Sequence, residues 1–139
     1  MVDAAPPPPP PLPTHAWRLF EPREWDEVTF RGSFVGSPLD ARDGYIHLSL
    51  GSEVRTTVAR YFAAAPALIL ARVSLARFIA RGMVRMDFVA SRAAFFPHVF
   101  DASRGTDDGP PPAIAIEDFV SSCRLESHDG LFVGWPEGV

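Results

Sequence analysis

The chain has 139 residues, 47% of them hydrophobic, which is enough for one domain with its own core and too short for a typical pair. A single cysteine, Cys123, excludes an internal disulfide and a thiolate zinc cluster, and no apolar run reaches the roughly 20 residues of a membrane-spanning helix. The net charge of −4 argues against extended nucleic acid as a partner, because that affinity comes from neutralising phosphates. The charge is uneven, however. Residues 51–100 hold seven Arg against two acids, whereas 101–139 hold two Arg against eight acids. A local basic patch for one phosphorylated small molecule is compatible with that division. All thirteen basic residues are Arg, which reads mainly as coding bias alongside abundant Ala and Pro. The first residues have neither the basic nor the apolar stretch of a secretory signal, so the cytoplasm is the expected location.

In chain order, residues 6–13 carry seven prolines and predict a polyproline II segment. Such a segment can dock on a partner's aromatic groove, but a solvated extension is the expectation. Residues 1–16 are thus read as a disordered extension and 17–139 as one globular domain. Residues 17–20 predict a first strand. Pro22, with Glu24, Asp26 and Glu27 behind it, marks a helix start, and Trp25 and Val28 form its apolar stripe. Gly32, Gly36, Ser37 and Pro38 punctuate a loop that ends at an Asp43-Gly44 turn.

The following run, Tyr45 to Leu50, alternates. Ile46, Leu48 and Leu50 share one face, and Tyr45, His47 and Ser49 share the other. Ser52 is positioned to cap a helix over 52–62, whose apolar face is Val54, Val58, Tyr61 and Phe62. Residues 67–75 predict a central strand, 76–81 a short helical turn and 83–89 another strand. Residues 95–100 read as extended, with Pro97 confining them to an edge or a bend. Residues 101–112 predict a mobile loop and 113–120 a last strand. The pattern beyond Cys123 predicts no element. The resulting fold class is α+β.

The polar triplet carries the clearest functional signal. Hydroxyl groups and an imidazole on one strand face can bind sugar hydroxyls and phosphate oxygens, and plain solvent cover explains the same pattern. Phe96, His98 and Phe100 share a face, so His98 belongs either to a cleft or to the margin of an aromatic cluster. No helical His pair with an intervening acid is present, and no metal site is expected. Nucleophile elbow, Gly-rich phosphate loop and dinucleotide fingerprint are all lacking, and Cys123 reads as an inert thiol. Asp87 is one of two acids in the basic middle region and can pair with Arg85.

Taken together, the Gly44-Tyr45-Ile46-His47-Leu48-Ser49 run, the following helix, a Leu-rich strand and Phe96-Pro97-His98 resemble the bacterial family named domain of unknown function 952. That resemblance implies a small, bent, split sheet with a few helices, grouped by fold with the ADP-ribosyltransferases around an NAD-binding cleft. It also implies a likeness to tRNA 2′-phosphotransferases, which use a His-Leu-Ser-like strand beside the nucleotide. On this basis Tyr45, His47 and Ser49 would bind the nucleotide, with NAD the expected cofactor, and Asp87 and His98 would be catalytic. Where the family tends to have Glu and a Tyr-Gly pair, this chain has Asp87 and Phe100-Asp101. A nucleotide transferase and a catalytically silent module for nucleotides or small metabolites both fit this reading.

Overall fold

A computed structural model describes residues 5–139 of the chain. Residues 6–12 are exposed, and β1 (His15–Phe20) starts two residues before the expected domain boundary, with Ala16 already fully buried. The extension is therefore shorter than 1–16. Glu21 precedes α1 (Pro22–Arg31), and its backbone N–H donates to Glu24 Oε1 at 2.8 Å. A short strand, β2 (Ser33–Phe34), follows. The expected loop then contains a helix, α2 (Pro38–Asp43), which the sequence reading missed. Ser37 Oγ accepts from Asp40 N at 3.3 Å and Pro38 sits in the first turn, so a short helix forms without a long apolar stripe.

Gly44 ends α2 with φ of 80°, and a methyl group on it would collide with the carbonyl of Asp107. The loop expected to be mobile is tied down at this point. Arg104 Nη2 reaches Gly44 O at 3.3 Å, Arg104 Nη1 reaches Pro110 O at 2.7 Å, and Asp107 pairs with Arg85 at 2.7 Å.

The alternating segment is regular strand only over β3 (Tyr45–His47), but its two faces separate as expected. Ile46 and Leu48 are 0% and 2% exposed, while Tyr45, His47 and Ser49 are partly open. Helix α3 (Gly51–Tyr61) starts with Leu50 as its capping residue rather than Ser52, and its Tyr61 is 65% exposed instead of packing in the core. The next elements are β4 (Ala67–Ser74), α4 (Ala76–Ala80), β5 (Val84–Val89) and β6 (Ala94–Phe100). Residues 113–120 do not form one strand. They divide into β7 (Ile114–Ala115), a 3-10 turn (Ile116–Asp118) and the start of β8 (Phe119–His128), which β9 (Leu131–Val133) follows. The segment beyond Cys123 is thus a hairpin.

The larger antiparallel sheet has the order β1-β4-β8-β9, with β4 inside it as its apolar run predicts. Leu68 and Leu70 face a core with Val54 and Val58 of α3. Ala71 and Val73 face the opposite core, with Phe20, Phe78 and Leu48. Both faces of β4 are covered, so its sequence shows no alternation. The smaller sheet has the order β3-β6-β5, with His47 opposite His98. Pro97 therefore lies in a central strand rather than at an edge. Its carbonyl accepts from Leu48 N at 3.1 Å, just past the end of β3, where the chain crosses to β1. There Trp17 and Ser49 exchange two backbone hydrogen bonds of 2.9 Å. Pro97 lies opposite Met86 of β5, and on its other side the pairing with β3 ends in the single bond from Leu48, so the missing N–H falls where that ladder stops. The curled sheet is split at this point.

Leu48 fills the core at the split, so Leu48→Ala should cost about 2–5 kcal/mol in denaturant unfolding. Phe30, 96% exposed on α1, serves as the control. Its replacement by Ala should stay within about 0.5 kcal/mol. Equal effects would mean that the strand faces are assigned in the wrong register.

Candidate functional site

The site is organised around a carboxylate that the sequence reading did not single out. Asp40 is fully buried, and both of its carboxylate oxygens are hydrogen-bonded. Oδ2 accepts from Ser37 N at 2.7 Å and from Ser37 Oγ at 2.9 Å, closing the turn of α2. Oδ1 accepts from His47 N at 3.0 Å and lies 2.6 Å from His47 Nδ1. Arg18 of β1 brackets the carboxylate, with Nη1 3.1 Å from Oδ1 and Nη2 3.0 Å from Oδ2. Burial by itself raises the pKa of this carboxyl. The His47 hydrogen bonds and the Arg18 charge outweigh burial and hold it well below the usual carboxylate range.

Both ring nitrogens of His47 are engaged. Nδ1 meets Asp40, and Nε2 lies 2.9 Å from Asp43 Oδ2. A carboxylate only accepts, so both contacts are hydrogen bonds when both nitrogens carry hydrogen. His47 is thus a link between two acids.

His98 differs. It is 3% exposed, and only Nδ1 is bonded, at 2.6 Å from Asp87 Oδ2. Asp87 is itself fixed by Arg85 Nε at 2.8 Å, and the Arg85 fork grips Asp107 at 3.1 and 2.7 Å. Burial raises the Asp87 pKa, but His98 and Arg85 reverse this and leave the group below the ordinary carboxylate range. An ionised Asp87 keeps hydrogen on Nδ1, so in the neutral ring Nε2 holds the free lone pair. Nε2 has no hydrogen-bond partner among the described residues and is not a sealed atom. Tyr45 stacks on this ring, with centroids 4.4 Å apart and planes at 23°. The guanidinium carbon of Arg85 lies 4.9 Å from the Tyr45 ring centroid.

A cleft of about 430 Å³ opens at the split between the sheets. His47, Ser49 and His98 line it, together with Trp17, Arg92 and Phe96. Three of the five expected site residues therefore share one cavity. Tyr45 and Asp87 lie outside the lining, where they pack against and bond to His98.

The sequence pattern of the DUF952 family, proteins of unknown function, matches residues 19–107 and so spans both His–Asp pairs. The chain belongs to this family. It is similar to protein CC0527 from Caulobacter crescentus, whose crystal structure is 25% identical with a TM-score of 0.67, covering 86% of this chain and 94% of the other. The solution structure of CC0527 is 26% identical with a TM-score of 0.60, covering 86% and 90%. No curated protein matches.

Within this DUF952 chain, three further residues belong to the site: Asp40, Asp43 and Arg18. A signal for Asp40 was present in Ser37-Pro38-Leu39-Asp40, a capping box with Pro in the first turn. No local pattern marks Arg18, which reaches Asp40 from 22 positions away.

Asp40→Ala strips Arg18 and His47 of their buried partner and should cost about 3–5 kcal/mol. His47→Ala, which β3 alternation alone would make cheap, leaves Asp40 underpaired and should cost about 1–3 kcal/mol. The folded-state pKa values of Asp40 and Asp87 lie below their unfolded values, so their stabilisation is present above about pH 4 and is lost as pH falls further. Urea midpoints measured from pH 6 downward should fall below about pH 5, with a shallower fall in Asp40→Asn. An unchanged slope in that variant would contradict the assignment.

Proposed function

We propose that the cleft binds a nucleotide of the NAD type and that His98 acts on it. The observation that carries this reading is the Asp87–His98 pair, which presents an unbonded Nε2 beside a cavity. The volume of about 430 Å³ lies within the usual range of small-molecule sites. Trp17, Phe62 and Phe96 in its wall offer apolar surface for a base, and Ser49 offers a hydroxyl for the ribose. The resemblance to the ADP-ribosyltransferase grouping favours NAD over other nucleotides.

In the transferase reading, an acceptor oxygen forms a bond to the ribose C1′ and nicotinamide leaves with the bonding electron pair. His98 Nε2 takes the acceptor's proton, while Asp87 holds Nδ1 and stabilises the imidazolium. Asp87 is then a positioning residue rather than one that touches the substrate. A silent nucleotide-binding module is the second reading, and one observation favours it. Among the described residues the one acid in the cleft lining, Glu24, accepts at Oε1 from the backbone N–H of Glu21 in capping α1.

A thermal-shift screen of NAD, ADP-ribose, other nucleotides and sugar phosphates tests binding. Ligand at a hundred times its Kd should stabilise the fold by about 2.7 kcal/mol. Nicotinamide release then separates the two readings. His98→Ala should abolish release, while Asp87→Asn should retain binding, lower the rate and move its pH profile. Binding without release would favour the silent module, and no nucleotide shift at all would sink both readings.

A further inference from the structure

The cleft contains a second side chain with unused hydrogen-bonding capacity. Arg92 lies in the turn between β5 and β6, and its side chain is only 6% exposed. Its guanidinium carbon sits 4.7 Å from the centroid of the Phe96 ring, a cation–π contact. Only Nη2 is bonded. It reaches Thr57 Oγ1 at 3.1 Å, Glu53 O at 3.4 Å and Glu53 Oε1 at 3.5 Å. The last is long for a charge-assisted hydrogen bond. Among the described residues Nη1 and Nε have no partner. Neither atom is sealed in the protein, since Arg104 Nε is the one buried unpartnered side-chain atom there.

A guanidinium stripped of most of its water needs an anion or further acceptors to complete its bonds. Arg18, the other arginine in the lining, has Asp40 against both of its terminal nitrogens; Arg92 has a carboxylate only at Nη2, the long 3.5 Å contact to Glu53. Glu24, the lining carboxylate, is directed to the start of α1. Nη1 and Nε of Arg92 therefore have no carboxylate partner among the described residues, in the wall of the cleft.

The placement of Phe96 relates this group to His98. The two residues are on the same face of β6, two positions apart, which spaces them by about 7 Å along the strand. A phosphate held by Arg92 would leave His98 Nε2 near the next moiety along a nucleotide, its ribose. We propose that Nη1 and Nε of Arg92 form the phosphate subsite of the cleft, taking a phosphoryl group of the nucleotide as a bidentate pair. This assignment rests on the nucleotide reading above and specifies its ligands as phosphorylated nucleotides rather than free nucleosides.

Calorimetric titration of the full chain with adenosine, AMP and ADP-ribose tests it, with Arg92→Gln and Arg92→Lys alongside. The unmodified chain should bind ADP-ribose and AMP more tightly than adenosine, and added salt should erode that preference. In Arg92→Gln, ADP-ribose should bind about ten- to a hundredfold more weakly, with adenosine unchanged within about twofold. Arg92→Lys keeps the charge but loses the fork, and should recover part of the preference. Equal binding of adenosine and ADP-ribose by the unmodified chain would overturn the subsite alone. A full phosphate preference in both folded variants would do the same. If neither adenosine nor ADP-ribose bound, the nucleotide reading would fall and the subsite with it.

Discussion

The arrangement of the cleft depends on the buried carboxylate of Asp40. One side chain receives donors from its own helix turn, from the guanidinium of Arg18 on β1 and from both the backbone and the ring of His47 on β3. These elements belong to different sheets, and little backbone pairing joins the sheets beyond the Trp17–Ser49 bridge. An ion cluster at that junction fixes β3 against β1 in one register. Such a cluster is costly to desolvate and tolerable only because each donor and acceptor is matched. It stabilises one arrangement strongly against alternatives in which any member is unpaired.

The cleft follows from the same break in the sheet. Pro97 lets β6 continue past the point where β3 leaves it, and Leu48 closes the core beneath. The strand faces that diverge there carry His47, Ser49, Phe96 and His98 into one cavity. Of its two histidines, one is bonded at both nitrogens and one at Nδ1 alone. Their different partners, not their shared location, distinguish a histidine held at both nitrogens from one whose Nε2 is left open.

Much of this was legible in the sequence because period-two alternation is local. It placed Ile46 and Leu48 inside and grouped His47 with Ser49, while a continuous apolar run gave β4 as a central strand. The DUF952 motifs added His98. The roles were harder to read, because each depends on a partner distant in the chain. Alternation put His47 at the cleft but gave no sign of Asp40 and Asp43 at its two nitrogens. Asp87 looked like an acid facing the cleft, whereas it lies behind His98. Helix α2 was missed because its six residues are too few to show periodicity, and its capping signal resembled loop punctuation. The long strand β8 was missed because its exposed, largely polar residues, such as Ser121 and Ser122, carry no apolar pattern.

The central claim is that His98 is held by Asp87 through Nδ1 and offers Nε2 to a nucleotide in the cleft. Nitrogen-15 spectra of the histidine side chains, recorded where the rings are neutral and repeated with saturating NAD, test it directly. The account predicts that His98 is the Nδ1–H tautomer and that its Nε2 resonance moves when NAD is added. An Nε2–H tautomer, or an Nε2 resonance indifferent to bound NAD, would contradict it.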